Sequence, residues 1–273
     1  MKERYVRILD ILSNSKSVKV TLLAEMMDVS HVTLRKDLDI LEDKGIIIRT
    51  HGYASLDGAD NTGKRIAVNY SIKKRIAKAA AETVEDGETI MLESGSCCAL
   101  FAEELALCRK NVTIVTNSAF IANYICKLDK IKIILFGGYF QPESHVMVGP
   151  MTAKCAEMFF TDKFFLGADG CIQGQGFTGR DHLRAETAAE LAKHANKVFI
   201  LTESAKFNRR GAYSLIKFDK VSGVFTDDGI SKKDEEVLLQ NNIQFYKVSS
   251  VNERLQLRHF PGQPPFLFTE KRE

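Results

Sequence analysis

His31, Thr33, Arg35 and Lys36 stand close together in "SHVTLRKDLDILEDKG", residues 30–45, and offer an imidazole, a hydroxyl and two cations over one and a half helical turns. Such groups read base edges and neutralise phosphates when a helix lies in a DNA major groove. The same stretch carries Leu34, Leu38 and Leu41 at i, i+4 and i+7, so its other face is made for burial. Ser30 suits the N-cap and Gly45 the left-handed position past the last turn, which predicts a helix over about 31–44. Taken alone, the outer face has a second reading as a solvated, salt-bridged surface, because Asp37, Asp39, Glu42 and Asp43 follow closely.

A second set of residues lies at strand-to-helix junctions. Glu93-Ser94-Gly95-Ser96 follows an apolar strand, where free N–H groups at a helix start and two hydroxyls can hold a phosphate; plain capping by Ser96 accounts for the same residues. Thr116-Asn117-Ser118 repeats the arrangement, and in neighbouring strands two such junctions can share one ligand. Gly137 and Gly138 end a further strand, either for close backbone approach or as an ordinary turn. Asp169 follows "KFFLGA" and Lys206 lies in "TESAKF". A carboxylate and an ammonium at strand ends can hold sugar hydroxyls and neutralise a phosphate, although each alone is also an ordinary surface ion. Between them, "GQGFTGRDHLRAET" adds Thr178, Arg180, Asp181 and Arg184 on a stretch whose glycines allow a mobile flap.

The elements that must carry these groups follow from periodicity. Val6, Ile8, Leu9, Ile11 and Leu12 mark an amphipathic helix over 3–15, and a second helix runs from about Thr21 to Met27. With the helix after Ser30 they make a helix-turn-helix. "IIIRTHGYA" then reads as a β-branched strand and a turn, a wing with Arg49 and His51 at its tip, placed to touch phosphates. The DNA-binding domain is expected over 1–54. The polar, glycine-containing "SLDGADNTGKR" opens a linker over 55–69. Over 70–250, apolar strands alternate with helices, which predicts a larger α/β domain with a mainly parallel sheet and ligands at its carboxyl edge. The proline-containing tail, 251–273, has no clear period and is expected to be loosely ordered.

Composition sets outer bounds. The chain has 273 residues, 45% of them hydrophobic, which suffices for two cores. The net charge is only +3, and residues 1–54 hold nine Lys or Arg against eight Asp or Glu, so the case for DNA rests on placement rather than on total charge. The six cysteines form no C-x-x-C pair, which predicts free thiols and no metal. No leader or membrane-length apolar run is visible, so a cytoplasmic location is expected.

Residues 1–54, above all "VSHVTLRKDLDILEDKGIIIRTHGYA", resemble the winged helix-turn-helix of the DeoR family of bacterial transcription regulators, with Thr33, Arg35 and Asp37 in the family's T-x-R-x-D pattern. The family's second glycine after the histidine is Tyr53 here. Over about 70–247, "ESGS", "VTIVTNS", "LFGG", "FFLGADG", "GFTGRD" and "TESAKF" resemble the effector domain of the same family, whose fold is similar to that of ribose-5-phosphate isomerase. The resemblance implies a repressor of a sugar-utilisation operon. Its partners would be operator DNA, met through Ser30, His31, Thr33, Arg35, Lys36, Arg49 and His51, and a phosphorylated sugar. That effector would meet Ser94, Gly95, Ser96, Thr116, Asn117, Ser118, Gly138, Asp169, Arg180 and Lys206, with no cofactor. Departures fall in the part that reads the sugar: Glu93 and Glu203 stand where the family has aspartate, Arg184 replaces a glutamate, and Ala205 replaces a hydroxyl residue. Paired half-sites imply a homodimer or homotetramer. The competing function is an isomerase-like enzyme with Asp169 or Glu186 as the base and Lys206 as an electrostatic aid.

Overall fold

The computed structural model describes residues 3–56, 62–249 and 255–258. Helices α1 (Glu3–Ser13), α2 (Val20–Met27) and α3 (His31–Asp43), with the short strand β1 (Val18–Lys19), build the N-terminal unit. Tyr5, Ile8, Leu9 and Leu12 of α1, Leu23, Ala24 and Met27 of α2, and Leu34, Leu38 and Leu41 of α3 share one buried core. Asp28 closes α2 in the left-handed region at φ +53°. The Ser30 hydroxyl caps α3 by accepting from the Thr33 N–H at 3.1 Å, as the sequence predicts. Asp37 is buried and accepts two bonds from the Arg4 guanidinium, at 2.7 and 3.1 Å, which fixes α1 across α3.

Strands β2 (Ile48–Thr50) and β3 (Tyr53–Ser55) form the wing, and β3 also pairs with β1. The hairpin loop is His51-Gly52, with φ +50° and +82°. Positive φ at both central residues is the combination that matches the twist of a two-residue hairpin. Tyr53 is already in the strand, so no glycine is required there.

The linker predicted over 55–69 is only partly that. Residues 62–67 form helix α4 (Thr62–Ala67), in which Ile66 and Ala67 are fully buried, and α4 packs against both α1 and the later helix α6 (Ser96–Cys108). Its buried pair sits in a polar neighbourhood of sequence, which masked the helix. One hydrophobic cluster consequently runs from the helix-turn-helix through Ile66 and Tyr70 into the larger domain.

That domain begins with α5 (Tyr70–Ala81) and continues through β4 (Thr89–Leu92), α6 (Ser96–Cys108), β5 (Val112–Thr116), α7 (Ala119–Ile125) and β6 (Ile131–Leu135). A hairpin of β7 (Tyr139–Gln141) and β8 (Val146–Val148) leads to α8 (Pro150–Ala156) and β9 (Thr161–Leu166). Next come β10 (Gly170–Ile172), β11 (Gly176–Gly179), α9 (His182–Leu191), β12 (Ala195–Leu201), β13 (Tyr213–Lys217), β14 (Gly223–Asp227), α10 (Lys232–Gln240), β15 (Gln244–Val248) and β16 (Leu255–Arg258). The main sheet has the order β16-β15-β14-β12-β9-β4-β5-β6, parallel throughout except for β16. Helices α5, α6 and α7 cover one face and α8, α9 and α10 the other, each layer with its own apolar core. This is the expected α/β architecture, its strand–helix units stacked so that both faces of the parallel sheet are buried.

Strands β10, β11 and β13 form a separate antiparallel sheet over the carboxyl edge of the main one. The stretch read as a possible flap is therefore held by strand pairing, and its glycines serve close approach: a Cβ on Gly170 would lie 2.4 Å from the Arg209 carbonyl oxygen, and one on Gly176 2.2 Å from that of Ile216. Of the predicted loose tail, Leu255–Arg258 pairs with β15 and the remainder lies outside the described residues. Among the described residues no helix is long and apolar enough to cross a membrane.

Candidate functional site

Adjacent strands β12, β9 and β4 end side by side, and the loops after them converge. Glu93, Gly95 and Ser96 come from the first helix start, Gly167 to Asp169 from the end of β9, and Thr202, Glu203, Ala205 and Lys206 from the end of β12. They line a cleft of about 260 Å³, closed on one side by Gly179, Arg180, Asp181 and Arg184 and on another by Lys64, Arg65, Val68, Asn69 and Lys73. Two glycines set its floor. A Cβ on Gly95 would lie 3.1 Å from Gly167 Cα, so the two backbones meet where side chains cannot.

Charge in the cleft is weighted to the cation. Seven basic side chains line it (Lys64, Arg65, Lys73, Arg180, Arg184, Lys206 and Arg209) against four carboxylates (Glu93, Asp169, Asp181 and Glu203). Gly95, with no capping side chain, is the N-cap of α6, so the first N–H groups of that helix and the positive end of its dipole face the cleft. Ser96 is the first helical residue rather than the cap, which leaves its hydroxyl directed to the same place. Two buried donors that line the cleft, Arg65 Nε and Thr202 Oγ1, have no partner within the described residues. Buried unpaired donors are costly in a folded chain and commonly mark where a ligand binds.

The carboxylates are held in place by the protein. Glu203 accepts from Asn69 Nδ2 at 2.7 Å and pairs with Lys73 Nζ at 3.3 Å, both side chains buried. Lys73 also donates to the carbonyls of Arg65, at 2.8 Å, and Val68, which ties the end of α4 to the cleft. Glu93 accepts from the Ser94 hydroxyl at 2.6 Å, and Asp169 accepts from the Arg180 N–H at 3.1 Å. Asp181 caps α9 by accepting from the Arg184 N–H at 2.8 Å. Burial lowers the Lys206 ammonium below the ordinary lysine value, opposed by the charges of Asp169 and Glu203.

Of the residues predicted for this site, Gly95, Ser96, Asp169, Arg180 and Lys206 come together. Ser94, Thr116, Asn117, Ser118 and Gly138 do not line the cleft. Ser94 is buried and spent on Glu93. Thr116 Oγ1 accepts from the Ser118 N–H, Ser118 caps α7, and Asn117 Nδ2 donates to the Met147 carbonyl at 2.8 Å, so these groups are bonded within the protein, while Asn117 Oδ1 is buried with no partner among the described residues. Gly138, at φ +154°, serves packing, since a Cβ there would strike Thr152 Oγ1 at 2.0 Å. Sequence reasoning missed Lys64, Arg65, Asn69, Lys73 and Arg209. One signal was present: Lys73 falls on the same helical stripe as Tyr70, Ile76 and Ala77, a cation on a buried face.

At the other end of the molecule, His31, Arg35 and Lys36 are exposed on α3, with no side-chain bond to another described residue. Val32 is exposed beside them, an apolar residue that the reading of polar groups passed over. Ser30 and Thr33 sit on the same edge with their hydroxyls 2.9 Å apart. His51 is exposed at the wing tip, whereas Arg49 is not a tip residue: its guanidinium bonds Glu42 at 2.8 Å and Asp39 at 2.7 Å. Carboxylates on the facing turn of α3 capture it, so it braces the wing rather than reaching out.

A winged helix-turn-helix joined to an α/β domain with a cation-lined cleft defines a ligand-responsive DNA-binding regulator. Residues 4–58 match the model of the DeoR-like helix-turn-helix domain and residues 68–228 that of the DeoR C terminal sensor domain, and the chain belongs to the DeoR family of transcription regulators. It is 27% identical to the putative aga operon transcriptional repressor of Escherichia coli O157:H7, covering 89% of this chain and 92% of that one. It is likewise 27% identical to the glycerol-3-phosphate regulon repressor of Escherichia coli (strain K12), covering 89% and 97%. Among solved structures, ribose 5-phosphate isomerase A from Methanocaldococcus jannaschii is similar over 51% of this chain and 55% of that one, at 20% identity and a TM-score of 0.38, a likeness too distant to carry function.

Proposed function

We propose that this regulator represses a sugar-utilisation operon and leaves its operator when a phosphorylated sugar binds in the cleft. The observation that carries the reading is a cleft that combines a cation-rich lining, two buried, unpartnered donors and the free start of α6. A phosphate is stabilised by helix N–H groups and by Lys and Arg, while Asp169, Glu203 and Asn69 suit hydroxyls. On DNA, Arg35 and Lys36 meet bases or phosphates, His31, Ser30 and Thr33 lie at the entry of the reading helix, and Val32 suits a thymine methyl. His51 meets a phosphate beside the groove.

The protein acts as a homo-oligomer in the cytoplasm and leaves the sugar chemically unchanged. An isomerase needs a base that reaches the substrate, and Glu186 is exposed outside the cleft while Asp169 is tied to the Arg180 N–H. Effector control follows from linkage: the sugar shifts the protein only by its difference in affinity for the DNA-bound and free forms. The test is titration of the purified protein with its own upstream DNA at one salt concentration, with and without a panel of sugar phosphates. Release by one compound is expected. Specific DNA binding that no phosphorylated compound alters would overturn the effector assignment.

A further inference from the structure

Arg65 stands on α4, the short helix between the wing and α5. Its side chain lines the cleft, while the next two residues, Ile66 and Ala67, are fully buried in a helix that packs against α1. One element therefore meets both the cleft and the helix-turn-helix unit. Ile66 shares its apolar cluster with Ile8 and Leu9 of α1 and Leu34 of α3.

The Arg65 guanidinium is only partly bonded within the protein. Its Nη2 donates to the Thr62 hydroxyl at 2.9 Å, whereas its Nε is buried with no partner among the described residues. A buried donor left unpaired is costly, and an acceptor that reaches it removes the cost. The Arg65 carbonyl is anchored as well: it accepts from Lys73 Nζ at 2.8 Å, and Lys73 pairs with Glu203 after β12. The same cleft presents the uncapped start of α6 and the Thr202 hydroxyl, buried and also unpartnered. Beyond α4 the contacts continue, since Arg4 of α1 holds buried Asp37 of α3 through two bonds.

We infer that Arg65 binds the phosphate of the effector, and that α4 passes this contact to α1 and so to α3. The inference rests on the reading of the cleft given above. A guanidinium presents Nε and a second nitrogen as a fork that matches two phosphate oxygens, which a lysine cannot do. Because Nε is buried, an anion reaches it only when Arg65 shifts. A helix as short as α4 is not stable by itself, so its position follows what Arg65 and Lys73 hold. The effector thereby distinguishes two positions of α4, which is the difference in affinity that coupling requires.

Hydrogen exchange of the full chain, followed by mass spectrometry with and without millimolar inorganic phosphate at constant ionic strength, tests this contact. In the wild type, phosphate is expected to slow exchange at the start of α6 and in α4, and to change it in α1. Arg65→Met is expected to weaken phosphate binding by about tenfold and to remove the response of α4 and α1, with Arg65→Lys restoring part of the affinity. The wild-type response needs no variant, so a variant that fails to fold leaves the measurement decisive. A response at the start of α6 with none in α4, or phosphate binding untouched by Arg65→Met, overturns the inference and leaves the reading of the cleft standing. No response to phosphate in any peptide counts against the reading of the cleft and overturns the inference with it.

Discussion

Lys44, directly after α3, forms an ion pair with Glu103, midway along the helix whose first residue lines the cleft. The Tyr124 hydroxyl donates to the other Glu103 oxygen at 3.2 Å, and the Lys44 ammonium lies 5.0 Å from the centre of the Tyr124 ring. One helix, α6, thus touches the cleft at its start and the end of α3 in its middle.

Removing one member of this pair leaves a charge with reduced compensation in a largely buried place. Lys44→Met is expected to cost about 1–3 kcal/mol in urea unfolding, less than for a fully buried pair because Lys44 is partly solvated. Lys44→Met with Glu103→Leu is expected to recover most of that stability while weakening the effector's influence on DNA affinity. A double variant with wild-type coupling would show that the signal takes another route.

Arg35 and Arg49 separate reading from bracing. Arg35→Ala removes an exposed cation and is expected to lower operator affinity by about 1–3 kcal/mol with an unchanged melting temperature. Arg49→Ala strips partners from Glu42 and Asp39 and is expected to lower stability by about 1 kcal/mol. DNA binding and thermal unfolding of the two variants, measured side by side, check the division.

Lys206 gives the cleft a pH dependence whose sign can be worked out. Its ammonium sits below the ordinary lysine value because of burial, so it loses its proton earlier than a surface lysine as pH rises. A bound anion favours the protonated form, so binding takes up a proton in that range, and affinity falls as pH increases through the lowered value. Effector titrations between about pH 7.5 and 10, above the second phosphate ionisation near 6, are expected to show this decline. Lys206→Arg, with a cation that keeps its proton, is expected to flatten it.

The cysteines are expected to differ in reactivity, because they differ in burial. Burial pushes the Cys97 thiol up to about 12, and raises Cys98 well above its ordinary value. Cys126 is exposed. Alkylation followed by mass spectrometry is expected to mark Cys126 well before Cys97, although Cys97 lines the cleft, because the thiolate is the reactive form.

Features set by neighbours in the chain were legible from sequence. The leucine spacing and the Ser30 cap define α3, and apolar runs between polar turns define the parallel α/β domain, because capping and periodicity act within a few residues. The position of Arg49 was not legible, since its partners Glu42 and Asp39 lie on a different element.

The amino-acid sequence by itself determined a helix-turn-helix unit and an α/β domain, the helix that follows Ser30 and the helix start at Gly95 and Ser96. Tertiary structure decided which loops share a cleft. The sheet order sets β4 beside β9 and β12, so their loops meet, while the similar junction after β5 spends its hydroxyls on its own backbone. It also brought Lys64, Arg65, Asn69 and Lys73 from a segment that reads as a linker. Strand order and long-range docking minimise exposed apolar area over the whole chain, and no local spacing encodes that sum.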